Sequence, residues 1–439
     1  MILKNNYVKS YKARFYKTYR LTLNIIIISM LASCATSKSK ITKVATNKLE
    51  TSLFKNHFVG LKVYDPVRKK TIFEKNSTKY FTPASNAKIF TLYTTLKLLP
   101  EYSPLLKYAV EDNTTYIQGT GNPTILHPYF KDDTAIDFLN KQKNIALYLN
   151  NFTSDKFGGG WAWEDFDTYF SPERGGLPLY GNVLSAYKKG EIKIYPNYFK
   201  DSISRKPHTF KRELVKNIFY ISPNLKDTIE VPYKTSSKLT KELLEAETSN
   251  KITLTKSFPS VKKTTLYGIA TDSIAKRMMY TSDNFLAEQL LIMASSTLSD
   301  TLNTNKAIKY ILKTDLGDLA QQPRWVDGSG LSRYNLFTPA SFVHVLDKMY
   351  TEVPRGRLLS IFPVGGVSGT LKNWYKGNPT PYIYAKSGSL GNNYSLSGYL
   401  ITKSGKTLIF SFMNNHFKQK TSDVKKEMEA VLELIRDNY

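Results

Sequence analysis

In TPASNAK (82–88) a serine stands three residues ahead of a lysine, at the start of the long apolar run KIFTLYTTLKLL. A helical step of three places Ser85 and Lys88 on one face. An ammonium buried there is costly unless it is paired or gives up its proton. A neutral amine one turn from a hydroxyl can take the hydroxyl proton and turn the oxygen into a nucleophile. The plainer alternative is a capping serine beside a lysine whose stem covers apolar surface while its head reaches water. Spacing alone does not choose between them, because Ser-x-x-Lys recurs at Ser37, Ser52, Ser185, Ser260, Ser273 and Ser422. Only Ser85 opens a long apolar helix.

Acyl transfer on serine needs further groups. They are a proton relay to the leaving amine, a donor for the substrate amide, a positive group for a carboxylate and backbone N–H groups for the oxyanion. Ser282-Asp283-Asn284 offers a hydroxyl and an amide two residues apart at an expected helix break. Ser222-Pro223-Asn224 has the same letters, but its proline and turn residues favour a plain loop. Lys386-Ser387-Gly388 offers a cation, a hydroxyl and a glycine in a strand, where glycine permits close approach of a backbone or ligand. Lys403-Ser404-Gly405 repeats those letters between two strong strands and is most simply a hairpin turn. The five histidines are scattered without an HExxH pattern, and neither a GxSxG elbow nor a P-loop occurs. No metal or cofactor is expected.

These residues must be held by a scaffold. Two short strands are predicted over 57–65 and 70–76, then the helix opening near Ser85 and stopping at Pro100. From 104 to 265 Tyr, Phe, Asn and Lys alternate in short strand-like runs, which reads as a β-rich inserted module. Helical periodicity returns at 273–298, broken near TSDN, and at 305–316 and 339–352. Strands follow at 382–388, 394–403 and 407–415. A last helix carries Val424, Met428, Val431, Leu432 and Ile435 on one face. The order implies one antiparallel sheet closed by both chain ends, with helices on both faces and the module looping out. The body would then comprise 53–103 and 266–439.

With 439 residues the chain is long enough for more than one core. The formal charge of +26 is spread over scattered lysines with no arginine-rich block, so no nucleic-acid partner is expected. At the N-terminus Lys4, Lys9, Lys12, Arg14, Lys17 and Arg20 precede the apolar stretch LTLNIIIISMLA, which is short for a membrane span. It ends at LASC, and Cys34 is the only cysteine. A small-residue site directly before a lone cysteine resembles the lipobox of bacterial lipoproteins. That resemblance implies a signal peptide over 1–33, lipid on Cys34, a tether over 34–52 and attachment to a membrane. Ala35 in place of an aspartate points to the outer membrane, facing the periplasm, in a Gram-negative source.

The order Ser-x-x-Lys, Ser-x-Asn, Lys-[Ser/Thr]-Gly resembles the penicillin-recognising serine enzymes. Within them the chain is most similar to the D-alanyl-D-alanine carboxypeptidase/endopeptidase family, the class C low-molecular-mass penicillin-binding proteins. GTGNPTI, GGWAWEDF, YTSDNFLAEQLL, VDGSGLSRYN, FPVGGVSGTL and YAKSGSL carry the likeness across about 58–415. The resemblance implies an α/β fold of the penicillin-binding-protein/serine β-lactamase type. The substrate it implies is a peptidoglycan stem peptide, and β-lactams would be covalent inhibitors. By the same resemblance Ser85 attacks, Lys88 takes its proton, Ser282 relays it, and Asn284 holds the substrate amide. Lys386 supplies positive potential, Ser387 and Gly388 help bind the terminal carboxylate, and the N–H groups of Ser85 and Ser389 form the oxyanion hole. Two positions depart from the pattern: Ser387 stands where threonine is usual, and Asn122 where aspartate is common. A β-lactamase, a small-ester hydrolase or a catalytically silent peptidoglycan-binding lipoprotein are the competing readings.

Overall fold

The computed structural model describes residues 42–50 and 52–439. Helix α1 (42–49) and α2 (Ser52–Lys55) lead into strands β1 (Phe58–Asp65) and β2 (Lys70–Lys75). A 3₁₀ turn, Ala84–Ala87, passes directly into α3 (Lys88–Leu98). There follow β3 (Tyr102–Glu111), β4 (Thr114–Gly119), α4 (Thr134–Asn140), β5 (Ile145–Tyr148), β6 (Val183–Lys189) and β7 (Glu191–Tyr195). Next are β8 (Ile203–Ser204), β9 (Phe219–Tyr220), β10 (Ile229–Pro232), α5 (Ser237–Glu247), β11 (Ile252–Thr255) and β12 (Thr264–Ala270). Five helices come next: α6 (Thr271–Thr281), α7 (Asn284–Leu298), α8 (Thr304–Lys313), α9 (Pro339–Glu352) and α10 (Arg355–Ile361). The chain closes with β13 (Ile383–Leu390), β14 (Asn393–Ile401), β15 (Thr407–Asn415) and α11 (Thr421–Asn438).

The body sheet runs β13-β14-β15-β1-β2, antiparallel throughout, so the first and last strands of the body lie in one sheet. Alternation along β15 shows how both faces are covered. Ile409 and Met413 join the core of α3, α7 and α9 with Phe90, Leu286, Leu290 and Phe342. Phe410 and Phe412 point the other way, into a core completed by Val424, Met428, Val431, Leu432 and Ile435 of α11. Burying each of those α11 side chains stabilises by roughly 2 kcal/mol before entropy is counted. Helix α9 is started by Thr338, whose hydroxyl accepts from Ser341 N, with Pro339 at the first helical position.

The inserted module has its own core, including Leu105, Ile117, Leu147, Leu184, Phe219 and Leu243. Its main sheet runs β11-β5-β4-β3-β12, and a second sheet runs β10-β6-β7. The expected limits of 104–265 are too narrow, since β3 and β12 pair along their length and carry the module to 102–270. At its neck Thr271 N donates to Glu101 O (2.8 Å), so the chain leaves and re-enters at one point. The module also contains two helices, α4 and α5, the second amphipathic with Leu239, Leu243 and Leu244 buried.

The tether needs a second correction. Residues 42–49 are helical, with Ala45 and Leu49 buried against Phe54 and the body sheet. An apolar pair at i, i+4 suffices to dock that turn, although its neighbours are polar. The expected signal peptide, Cys34 and the tether up to residue 41 lie outside the described residues.

Candidate active site

The turn carrying Ser85 is held open by its neighbours' lack of side chains. Ala84 just before it is left-handed (φ 49°), a conformation that costs energy in a residue with a Cβ. Gly330 (φ 78°) packs against it so closely that a Cβ there would fall 1.9 Å from Ala84 O. On the other side a Cβ at Gly388 would fall 2.5 Å from Pro83 O and 2.9 Å from Ser85 N. Glycine at these two positions lets a loop and strand β13 both lie on the nucleophile turn.

Lys88 is fully buried at the start of α3. Its Nζ donates to Ser85 Oγ (3.0 Å), Asn284 Oδ1 (2.7 Å) and Ser329 O (2.6 Å). Burial pulls its pKa down to about 8, and the carboxylates of Asp327, Asp283 and Glu288 keep it from falling further. The amine thus gives up its proton more readily than an exposed lysine and is aimed at the serine oxygen.

The second segment is placed by a helix break. Helix α6 ends at Ser282 in a left-handed conformation (φ 58°), and Asp283 starts α7 by accepting from Leu286 N (2.9 Å). The aspartate is therefore a cap, and the flanking Ser282 and Asn284 both face the cleft. Asn284 also donates to Phe170 O (3.0 Å) of the inserted module. On β13 Lys386 Nζ donates to Ser282 Oγ (2.8 Å) and to Ser387 O (2.6 Å). Burial, then the Lys88 ammonium, hold Lys386 well below the usual lysine range. The Ser387 hydroxyl lies 2.7 Å from Thr370 Oγ1.

Ser85, Ser282, Asn284, Ser387 and Ser389 open onto one cleft of ≈ 490 Å³, walled further by Tyr169, Phe170, Glu230, Arg277 and Thr370. The three distant segments thus meet. The look-alike Ser222-Asn224 is a loop turn in which Asn224 N donates to Ser222 Oγ (3.2 Å). Lys403-Ser404-Gly405 is the β14–β15 hairpin turn, with Gly405 at φ 79°. Among the described residues no group of three His, Cys, Asp or Glu is arranged to hold a metal ion.

Asp327 is a loop anchor. It accepts from Gly330 N (2.9 Å), Ser332 N (2.7 Å), Asn335 Nδ2 (2.6 Å) and Trp161 Nε1 (2.8 Å). Trp163 of the GGWAWEDF stretch is 67% exposed. Asn122 is buried and donates to Ser103 Oγ (3.0 Å) and Pro104 O (3.1 Å), bonds an aspartate could not give. Sequence reasoning missed Ser329, Thr370, Glu288 and Arg174. Glu288 is one turn beyond Asn284 on the wholly buried α7, which is a readable signal. Ser329 acts through its carbonyl, which no side-chain pattern reveals.

A mixed sheet-and-helix body brings Ser85, Ser282 and Asn284 to one cleft with Lys88 and Lys386 buried behind them, an arrangement suited to acyl transfer on serine. The D-Ala-D-Ala carboxypeptidase 3 (S13) family matches residues 240–436 of the chain. The chain is similar to the penicillin-sensitive carboxypeptidase A of Dictyostelium discoideum, 23% identical over 94% of this chain and 91% of that one. It is also similar to the D-alanyl-D-alanine carboxypeptidase DacB of Haemophilus influenzae, 29% identical over 38% of this chain and 36% of that one. Among solved structures, penicillin binding protein 4 of H. influenzae matches with a TM-score of 0.69 at 19% identity, covering 89% of this chain and 97% of that one. A predatory endopeptidase of Bdellovibrio bacteriovorus matches with a TM-score of 0.51 at 16% identity, covering 86% and 94%. At these identities the structural matches establish the fold.

Proposed function

We propose that the protein is a serine DD-peptidase that cleaves the D-alanyl-D-alanine bond of peptidoglycan stem peptides through an acyl-enzyme. The observation that carries this reading is the Lys88 amine, its pKa lowered to about 8 and its Nζ 3.0 Å from Ser85 Oγ. Ser85 Oγ adds to the carbonyl of the penultimate residue while its proton passes to Lys88. The oxyanion is met by the N–H groups of Ser85 and Ser389. The C–N bond then breaks, and Ser282 hands a proton to the departing amine, leaving an ester on Ser85. Water adds to that ester, the C–O bond breaks, and the serine recovers its proton. Asn284 holds Lys88 through Oδ1 and offers its amide to the substrate. The hydroxyls of Ser387 and Thr370 take the terminal carboxylate, and that anion favours the charged form of Lys386 that burial alone opposes. With threonine replaced at 387 the hydroxyl is kept, so the change bears on ligand preference.

Labelled benzylpenicillin tests the reading on the detergent-extracted full chain. Stoichiometric, long-lived label mapped to the Ser85 peptide, with alanine released from pentapeptide muropeptides, is the expected result. Rapid turnover of the label would mark a β-lactamase, and no label would mark a silent scaffold.

The same proposal covers location. The basic stretch, the apolar run and LASC support a lipid on Cys34 and an outer-membrane site facing the periplasm. Cells fed radiolabelled palmitate should label the wild-type chain, and Cys34→Ser should remove that label. Label retained in the variant would exclude this anchor.

A further inference from the structure

Strand β13 turns alternate residues to opposite sides of the body sheet. Ile383 and Ala385 join the core of α11, while Tyr384 packs against the core of α3, α7 and α9. Further along, Lys386 Nζ reaches Ser282 Oγ and Gly388 lies against Ser85 N, so these two residues keep to the side of the nucleophile turn. By the same alternation Ser387 and Ser389 face the other way, towards α11. The Ser387 hydroxyl, with Thr370 Oγ1 2.7 Å from it, therefore lies on the side of the strand opposite the Lys386 ammonium.

A different cation stands on that side. Tyr394 of β14 pairs in register with Ser389, so the two side chains share a face. Lys425, in the second turn of α11, places its Nζ 4.9 Å from the centroid of the Tyr394 ring and 4.9 Å from that of Trp374. Tyr394 and Lys425 line the cleft together with Thr370, Ser387 and Ser389. The Lys425 side chain is half-buried and makes no hydrogen bond or ion pair among the described residues. Glu429, one turn further along α11, is bonded instead to the backbone N–H groups of Lys376 and Tyr375. Burial alone lowers the Lys425 pKa. Two aromatic rings hold the ammonium in place and leave it without a counter-ion.

Hydroxyl donors beside an unpaired ammonium are suited to an anion. Resting on the peptidase reading, we infer that Lys425 is the counter-charge for the carboxylate taken by the Ser387 and Thr370 hydroxyls, and that it sets the preference of the cleft for leaving groups that end in a free acid. Lys386 holds Ser282 and acts on the same anion from the far side of the strand. No bond forms or breaks at Lys425, so its part is specificity, exerted through binding.

Two acyl-D-alanyl thioesters test this on the full chain, one of mercaptoacetate and one of mercaptoacetamide, which differ in the charge of the leaving group. The quantity read is the ratio of kcat/KM for the first to kcat/KM for the second. Lys425→Met and Lys425→Gln both keep a good helix former at this position, and thermal melting checks their folding. Each should lower the ratio about tenfold, chiefly through KM for the mercaptoacetate thioester, and Lys425→Arg should restore part of it. Added salt should lower the wild-type ratio more than that of Lys425→Met. A ratio within about twofold of the wild type in both variants, including one in which both thioesters slow equally, overturns the role of Lys425 alone, provided Ser85 still takes penicillin. A wild-type chain that takes no penicillin and hydrolyses neither thioester overturns the peptidase reading and this inference with it.

Discussion

Replacing Lys88 with methionine is expected to slow acylation of Ser85 by benzylpenicillin about 10³-fold, close to the complete loss expected for Ser85→Ala. Methionine keeps the volume and the apolar stem while removing the only amine within hydrogen-bond reach of Ser85 Oγ among the described residues. Lys386 does not substitute for it, because its Nζ is engaged by Ser282 Oγ and Ser387 O. The wild-type pH profile carries the same information with a definite sign. An ammonium cannot accept a proton, so the active form is the one above the Lys88 pKa of about 8. The acylation rate should rise about tenfold per pH unit below that value and level off above it. In Lys88→Met that slope should vanish. A variant within about tenfold of wild type, or one that keeps the slope, would remove Lys88 as the base.

The elements that carry the site were legible because their patterns are strong. Strand 58–65 alternates Val59, Leu61 and Val63 with Lys62 and Tyr64, strand 407–415 is a short apolar run buried on both faces, and α11 shows its buried stripe in Val424, Met428, Val431, Leu432 and Ile435. The break at TSDN was readable because Asp283 caps a helix and Ser282 can end one. Three things were not readable. The 3₁₀ turn at Ala84–Ala87 depends on Gly330 and Gly388 closing over it, contacts separated by hundreds of residues from the turn they shape. The docking of 42–49 rests on two small contacts in a polar stretch. The acceptor that Ser329 presents to Lys88 is a carbonyl, and every residue has one.

That carbonyl depends on a buried pair that joins the module to the nucleophile, and breaking it should have the largest effect on stability. Ser329 N donates to Glu288 Oε1 (2.8 Å), so Glu288 on α7 fixes the peptide whose carbonyl holds Lys88. The other carboxylate oxygen of Glu288 lies 3.4 Å from Arg174 Nε, with both side chains almost wholly buried. The contact is a close pairing of charges without hydrogen-bond alignment at those two atoms. Arg174 in turn donates to Thr304 Oγ1 (3.2 Å) and stacks on Trp161, whose Nε1 is bonded to Asp327. Burial pushes the Glu288 carboxyl up and Arg174 opposes this. Arg174→Met leaves that carboxylate buried and unpaired, which should cost about 3–5 kcal/mol in denaturant unfolding. Glu288→Gln keeps an acceptor for Ser329 N and removes the charge. Added to Arg174→Met, it should therefore recover part of the lost stability and part of the acylation rate, instead of adding a second loss. Strictly additive costs in the double variant would show that the two charges are not coupled, and Lys88 would then be held by Asn284 and the 327–335 loop alone.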